Sequence, residues 1–244
     1  MYHISSIMVR LSVNINKIAL LRNSRGTNIP NVVQFATNCE QYGAQGITVH
    51  PRQDERHITR RDVYDLKEVV TTEFNIEGYP STDFLKMVKE VKPQQCTLVP
   101  DAPGQLTSDH GWDTLTQQAL LTDVITELKA NNIRVSLFID PLNDRIEAAK
   151  RAGADRIEFY TGPYAHHFYT DKKKAVQEFT AAALYCNEIG LGINAGHDLN
   201  LDNLRFFKSQ IPGLLEVSIG HALVKDCLYL GLENTIQLYL RELE

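Results

Sequence analysis

Cysteine is scarce in this chain of 244 residues. Cys39, Cys96, Cys186 and Cys227 are far apart and form no C-x-x-C pair, so the common zinc and redox motifs are excluded and the four read as buried, reduced thiols. No apolar run approaches the roughly 20 residues of a membrane span, and the first residues lack a basic-then-apolar leader pattern, so a cytoplasmic protein without a membrane partner is expected. Positive charge is in deficit, with 25 Lys and Arg against 30 Asp and Glu and a net charge of -5. That balance supplies no broad basic field for nucleic acid, and any anion must be met by local groups. There is no G-x-G-x-x-G, no G-x-x-x-x-G-K-[ST] and no H-E-x-x-H, which removes the dinucleotide, P-loop and zinc-helix fingerprints. No Pro/Gly/Ser-rich linker divides the chain. A single domain over residues 1–244 is expected, with the polar residues 1–8 as an N-terminal extension.

What the chain does have is alternation. Short β-branched runs recur at Leu11–Ile15, Gly46–His50, Phe74–Glu77, Cys96–Val99, Arg134–Ile139, Arg156–Tyr160, Gly192–Asn194 and Glu216–Ile219. Helical periodicity is clearest over Val32–Tyr42, Thr82–Val91, Leu115–Asn131, Asp144–Ala152, Asp171–Ile189, Leu201–Ser209 and Asn234–Leu243, with stops at Gly43, Asn131, Gly153 and Gly190. About eight strand-helix units in one domain predict an α/β fold of the (β/α)8 TIM barrel type, with a doubly wound open sheet as the rival. The stretch 100–113 reads as a long loop after the fourth strand, at the end where barrels carry function.

Chemistry-bearing residues gather at the carboxyl ends of these runs: Asn14 and Asn16, His50 and Arg52, Glu77, Asp140, Glu158, His197 and His221. A barrel brings those ends to one face. In the segment from His50 to His57, arginine forks suit phosphate oxygens and a neutral histidine can move protons near pH 7. Glu77 and Glu158 end apolar strands, where burial raises a carboxyl group towards the range of a general acid or base. Gly196-His197 and Gly220-His221 close the seventh and eighth units, whose loops often hold phosphate on backbone N–H groups and a short helix, here starting near Ala222. Arginine and lysine beside the histidines oppose a bound cation, so no metal site is expected. Lys17 lies past the first strand and reads as an anion contact rather than a Schiff-base lysine. A phosphorylated small molecule is the expected substrate class. On these residues alone an isomerase, an aldolase or a non-catalytic ligand-binding barrel stays open.

The run Val13-Asn14-Ile15-Asn16-Lys17 through Arg25-Gly26 resembles the pyridoxine 5'-phosphate synthase family, as do Val49-His50-Pro51-Arg52 with Arg56-His57, Asn75-Ile76-Glu77, Ile157-Glu158, Asn194-Ala195-Gly196-His197 and Ile219-Gly220-His221. The likeness runs from about Leu11 to the C-terminus. It implies a barrel with extra helices, assembled as a homo-octamer and working without metal or organic cofactor. The implied reaction condenses 3-amino-2-oxopropyl phosphate with 1-deoxy-D-xylulose 5-phosphate, closing a pyridine ring and releasing phosphate and water. By motif, His50 and Glu77 would accept protons, His197 would donate one, and Glu158 would stabilise developing positive charge. Asn14, Arg25, Gly220 and His221 would hold the aminoketone phosphate, and Arg52, His57 and Thr107 the deoxyxylulose phosphate. Three residues, at two places, depart from the family pattern. Asn16-Lys17 stands where many members have Asp-His, and Asp198 where they have Gly. Asn16, Lys17 and Asp198 are nonetheless expected in the substrate sites.

Overall fold

The computed structural model describes residues 8–101 and 108–244. Its strands are β1 (Arg10–Asn14), β2 (Gly46–Val49), β3 (Glu73–Gly78), β4 (Gln95–Leu98), β5 (Arg134–Ile139), β6 (Arg156–Phe159), β7 (Gly192–Gly196) and β8 (Leu214–Ile219). They pair in parallel in chain order, and β8 closes on β1 with Arg10 opposite Glu216 and Val13 opposite Ile219. The fold is therefore a closed (β/α)8 barrel. Around it lie α1 (Asn16–Asn23) and α2 (Val32–Gln41), then α3 (Arg60–Lys67), α4 (Thr82–Val91), α5 (Gln118–Ala130), α6 (Asn143–Arg151), α7 (Gly162–Glu188) and α8 (Leu204–Gln210), with α9 (His221–Leu230) and α10 (Leu232–Glu242) after the last strand.

Side chains alternate across each strand, and the barrel uses the two sides differently. Leu11, Val13, Ile47, Ile76, Leu98, Val135, Leu137, Ile157, Ile193 and Val217 are fully buried in the apolar cluster shared with the helices. The other side fills the interior with polar groups, where barrels more often carry branched aliphatics. Ser12 Oγ meets Thr48 Oγ1 at 2.8 Å, Asn75 Nδ2 donates to Thr48 Oγ1 at 3.3 Å, and Thr97 Oγ1 donates to Asn75 Oδ1 at 3.0 Å. Towards the amino end, Arg10 pairs with Glu73 at 2.7 Å and Glu216 at 3.6 Å, while Arg134 pairs with Glu73 and Arg156 lies 3.7 Å from it.

Several helices start where the sequence supplies a cap. Asn31 accepts from the Gln34 N–H, Ser81 accepts from the Phe84 N–H, and Thr59 and Asp62 form a reciprocal capping box. The predicted elements are in place, with four differences. The chain forms α1 directly after β1, where no helix was predicted. The helix predicted from Asp171 begins at Gly162; Asp171 is a break in it (φ -155°, ψ 91°), so α7 is two helical pieces across a kink. The short helix expected near Ala222 is there as α9, which starts one residue earlier and runs for ten residues. The left-handed stop after α5 is Asn132 (φ 61°) rather than Asn131, whose φ is -97°.

Candidate active site

The carboxyl ends of the strands meet above the polar interior. Asn14, at the end of β1, donates from Nδ2 to Glu77 Oε2 at 3.4 Å, and its Oδ1 accepts from the Asn16 N–H at 3.1 Å. Asn16 Oδ1 in turn accepts the His50 N–H at 2.8 Å, so the first strand-helix turn fixes the end of β2. Lys17, the next residue, is exposed on α1. A Cβ on Gly220 would stand 3.1 Å from Asn14 Cβ and 3.2 Å from its carbonyl oxygen, so any side chain at residue 220 would press on the end of β1 that holds Asn14. His221 follows as the first residue of α9.

Burial sets the electrostatics. Glu77 is pushed up to about 8 by desolvation, with the Asp101 charge adding and Arg52 opposing. Glu158 is raised well above its ordinary value by burial, and then by Glu77 and Glu216. One Glu158 oxygen, Oε2, is buried without a hydrogen-bond partner. The opposite shift holds for the histidines. Burial, then the Arg52, His57 and Arg56 charges, hold His50 well below 6.5, and His57 is lowered to about 4 by burial, Arg52, Lys17 and Arg56. Both rings are therefore neutral at pH 7. Their centroids lie 6.2 Å apart, edge to face, and His57 Nδ1 accepts the Ile58 N–H at 2.9 Å.

Arg52 is ion-paired with Asp101, which also accepts from Ser108 Oγ at 2.8 Å. His50, Arg52, Asp54, Tyr79 and Asp101 line a cavity of about 290 Å³. A second cavity, of about 390 Å³, is lined by Gly162, His166, Asp198, Asn200, His221 and Lys225. His197 packs beside Tyr160 and Phe138, with ring centroids at 5.3 Å and 6.4 Å, and those two rings touch each other at 5.6 Å. The structure thus gathers Asn14, Asn16, His50, Arg52, His57 and Glu77 on the β1–β3 side. Glu158 and His197 rise from the ends of β6 and β7, and Asp198 and His221 share the second cavity. Arg25, exposed in the turn after α1, lines neither cavity. Thr107 lies outside the described residues. Among the described residues, no group of three or more His, Cys, Asp or Glu side chains could hold a metal ion.

Sequence reasoning overlooked three residues. Asp101, three positions past β4, could have been found by the same strand-end rule that gave the others. Tyr160 packs on His197, and Thr161 Oγ1 donates to the His197 carbonyl at 2.7 Å; neither is marked by residue type alone. The buried Arg22–Asp62 pair is also new. It reaches the same loop, because Arg22 Nη2 donates to His57 O at 3.3 Å.

The family described as pyridoxal phosphate biosynthesis protein PdxJ matches residues 11–244. The chain belongs to this family. It is 58% identical over 237 residues to the pyridoxine 5'-phosphate synthase of Cytophaga hutchinsonii, covering 97% of this chain and 100% of that one. It is also 58% identical to that of Bacteroides fragilis, over 95% of this chain and 98% of the relative. Among solved structures, the thiamine phosphate pyrophosphorylase of Pyrococcus furiosus superposes with a TM-score of 0.59 at 14% identity, covering 97% of this chain and 93% of that one. A 4-hydroxy-2-oxoglutarate aldolase does so with a TM-score of 0.60, at 14% identity and 88% of each chain. These two likenesses concern the barrel alone.

Proposed function

We propose that the chain forms pyridoxine 5'-phosphate by condensing 3-amino-2-oxopropyl phosphate with 1-deoxy-D-xylulose 5-phosphate, releasing phosphate and water. Membership of the family and the activity named for its relatives support the product. The observation that carries the chemistry is the buried, interacting pair Glu77 and Glu158, with a buried neutral His50 at the end of the neighbouring strand β2. Such a condensation makes a C–N and a C–C bond and expels water and phosphate, so it moves protons repeatedly. Groups with shifted affinities in a desolvated basin can give and take them near pH 7.

In this reading His50 accepts a proton through its neutral ring, and Glu77 does so once ionised. His197 donates one to a departing oxygen, and Glu158 stabilises positive charge as it develops. Asn14, Arg25, Gly220 and His221 hold the aminoketone phosphate; Arg52, His57 and Thr107 hold the deoxyxylulose phosphate, with Asn16, Lys17 and Asp198 at the edges of these sites. No cofactor takes part, and the protein works in the cytoplasm as a homo-octamer. For self-association the support is the exposed apolar group on α1 and α9, where Leu20, Leu21, Leu228 and Tyr229 face solvent in the isolated chain, Tyr229 with 83% exposure. Incubating the protein with both phosphorylated substrates should yield pyridoxine 5'-phosphate. His50→Asn, shown folded by circular dichroism, should lower turnover by about a hundredfold or more. No product from the parent, or an unimpaired variant, would overturn the reading.

A further inference from the structure

His197 and Asp198 leave β7 with both backbones in the left-handed region, at φ 34° and 70°. Residues with side chains hold that conformation only where their surroundings over-determine it, and such positions cluster at working sites. Here the surroundings are specific. Thr161 Oγ1 donates to His197 O at 2.7 Å and to Gly196 O. Asn203, fully buried, donates from Nδ2 to Asp198 O at 3.2 Å, and Asn200 Nδ2 does so at 3.3 Å. The turn held in this way sets His197 Nδ1 3.3 Å from Asp198 Oδ2.

Among the described residues, Tyr160, Phe138, Asp109 and His221 also face the pair. Tyr160 presents its ring to the imidazole at 71° between planes, and Phe138 packs behind. The charge of Asp109 is felt from the segment before Gly111, and that of His221 reaches Asp198 from α9. The bond to His197 holds the Asp198 carboxyl below its ordinary value against the effect of burial, so it is ionised at neutral pH.

We propose that Asp198 is a positioning residue for His197, its carboxylate accepting the Nδ1–H so that Nε2 is the ring atom that carries the transferable proton. The inference rests on the reading of His197 as a proton donor. The donor form is the imidazolium, protonated on both nitrogens: on transfer the Nε2–H bond breaks and its electron pair stays on nitrogen, while the C–O bond of the departing group breaks with its pair going to the oxygen that takes the proton. What remains is the Nδ1–H tautomer that Asp198 already holds. The side chains of the pair are 27% and 51% exposed, so the contact is loose in the free protein. Substrate filling the adjoining cavity excludes water and tightens it.

The test uses full-length protein labelled with 15N-histidine, with His197→Asn to assign the His197 ring signals. Asp198→Asn and Asp198→Gly both suit a left-handed backbone. The parent should show neutral His197 as the Nδ1–H tautomer, and both variants should lose that signature. Their kcat should fall about tenfold or more while KM stays within about twofold. An unchanged tautomer in the variants, or a parent without the Nδ1–H form, overturns the proposal. So does a raised KM with kcat kept, which would make Asp198 a plain substrate contact, or a lowered melting temperature with no change of tautomer. If His197→Asn keeps its turnover, the donor reading fails by itself, and the ring signals still decide whether Asp198 sets the tautomer.

Discussion

The two carboxylates that make the basin reactive should also make the barrel less stable, and Glu77→Gln measures by how much. In the folded chain Glu77 holds its proton up to about pH 8; the unfolded reference is 4.5. Between those values the native state binds the proton and the unfolded state does not. Stability contributed by this group is therefore present below pH 4.5 and is lost as pH rises towards 8. At about 1.4 kcal/mol per unit over roughly 2.5 units, the loss by pH 7 is about 3 kcal/mol. Glutamine fills nearly the same volume, can still meet Asn14 Nδ2, and has no charge to desolvate. Urea unfolding of parent and variant at one fixed protein concentration should give curves that nearly coincide at pH 5 and separate to about 3 kcal/mol at pH 7, the variant being the more stable. Turnover should be lost in the same variant. A stability difference that does not depend on pH, or a variant weaker than the parent at pH 7, would refute the argument that desolvation raises Glu77.

The loop that carries His50 and Arg52 should depend on the buried pair beneath it. Asp62→Ala leaves Arg22 without its partner and removes half the capping box of α3, so unfolding in urea should show a loss of about 3–5 kcal/mol, which the double variant Arg22→Met/Asp62→Leu largely restores. Lys17→Met should raise KM for one phosphorylated substrate and leave kcat within about twofold, since an exposed contact binds ground and transition states alike. Borohydride reduction in the presence of either carbonyl substrate should leave Lys17 unlabelled; a covalent adduct there would replace His/Glu chemistry with imine chemistry.

The barrel was legible because the apolar half of each strand is continuous with the helical core: Leu11 and Val13, Ile47 and Val49, and Leu137 and Ile139 give a period-two signal that needs no partner to be read. Helices hidden in other patterns were not. The first piece of α7 carries His166, His167 and Tyr169 where an apolar stripe would be expected, and of α9 the sequence marked the start near Ala222 but not the ten-residue length. Strand-end position brought out His50, Glu77, Glu158 and His197. What pairs with what was invisible, because the partners are brought together by ring closure, as with Arg10 beside Glu73 and Glu216, or by backbone angles, as with Asp198 beside His197.

Ring closure also explains why so polar an interior is consistent with the chemistry above it. Glu216 is raised to about 7 by burial and then by Glu73, with Arg10 and Arg156 opposing, and its charge is one of those that raise Glu158. The ionic groups at the amino end of the barrel therefore contribute to the proton affinity of a residue at the carboxyl end, through an interior in which the buried Ser12, Thr48, Asn75 and Thr97 bond to one another. An aliphatic filling would make a more stable barrel. It would also leave Glu158 with burial and Glu77 alone to set its protonation, so the polar layers belong to the active site as much as to the scaffold.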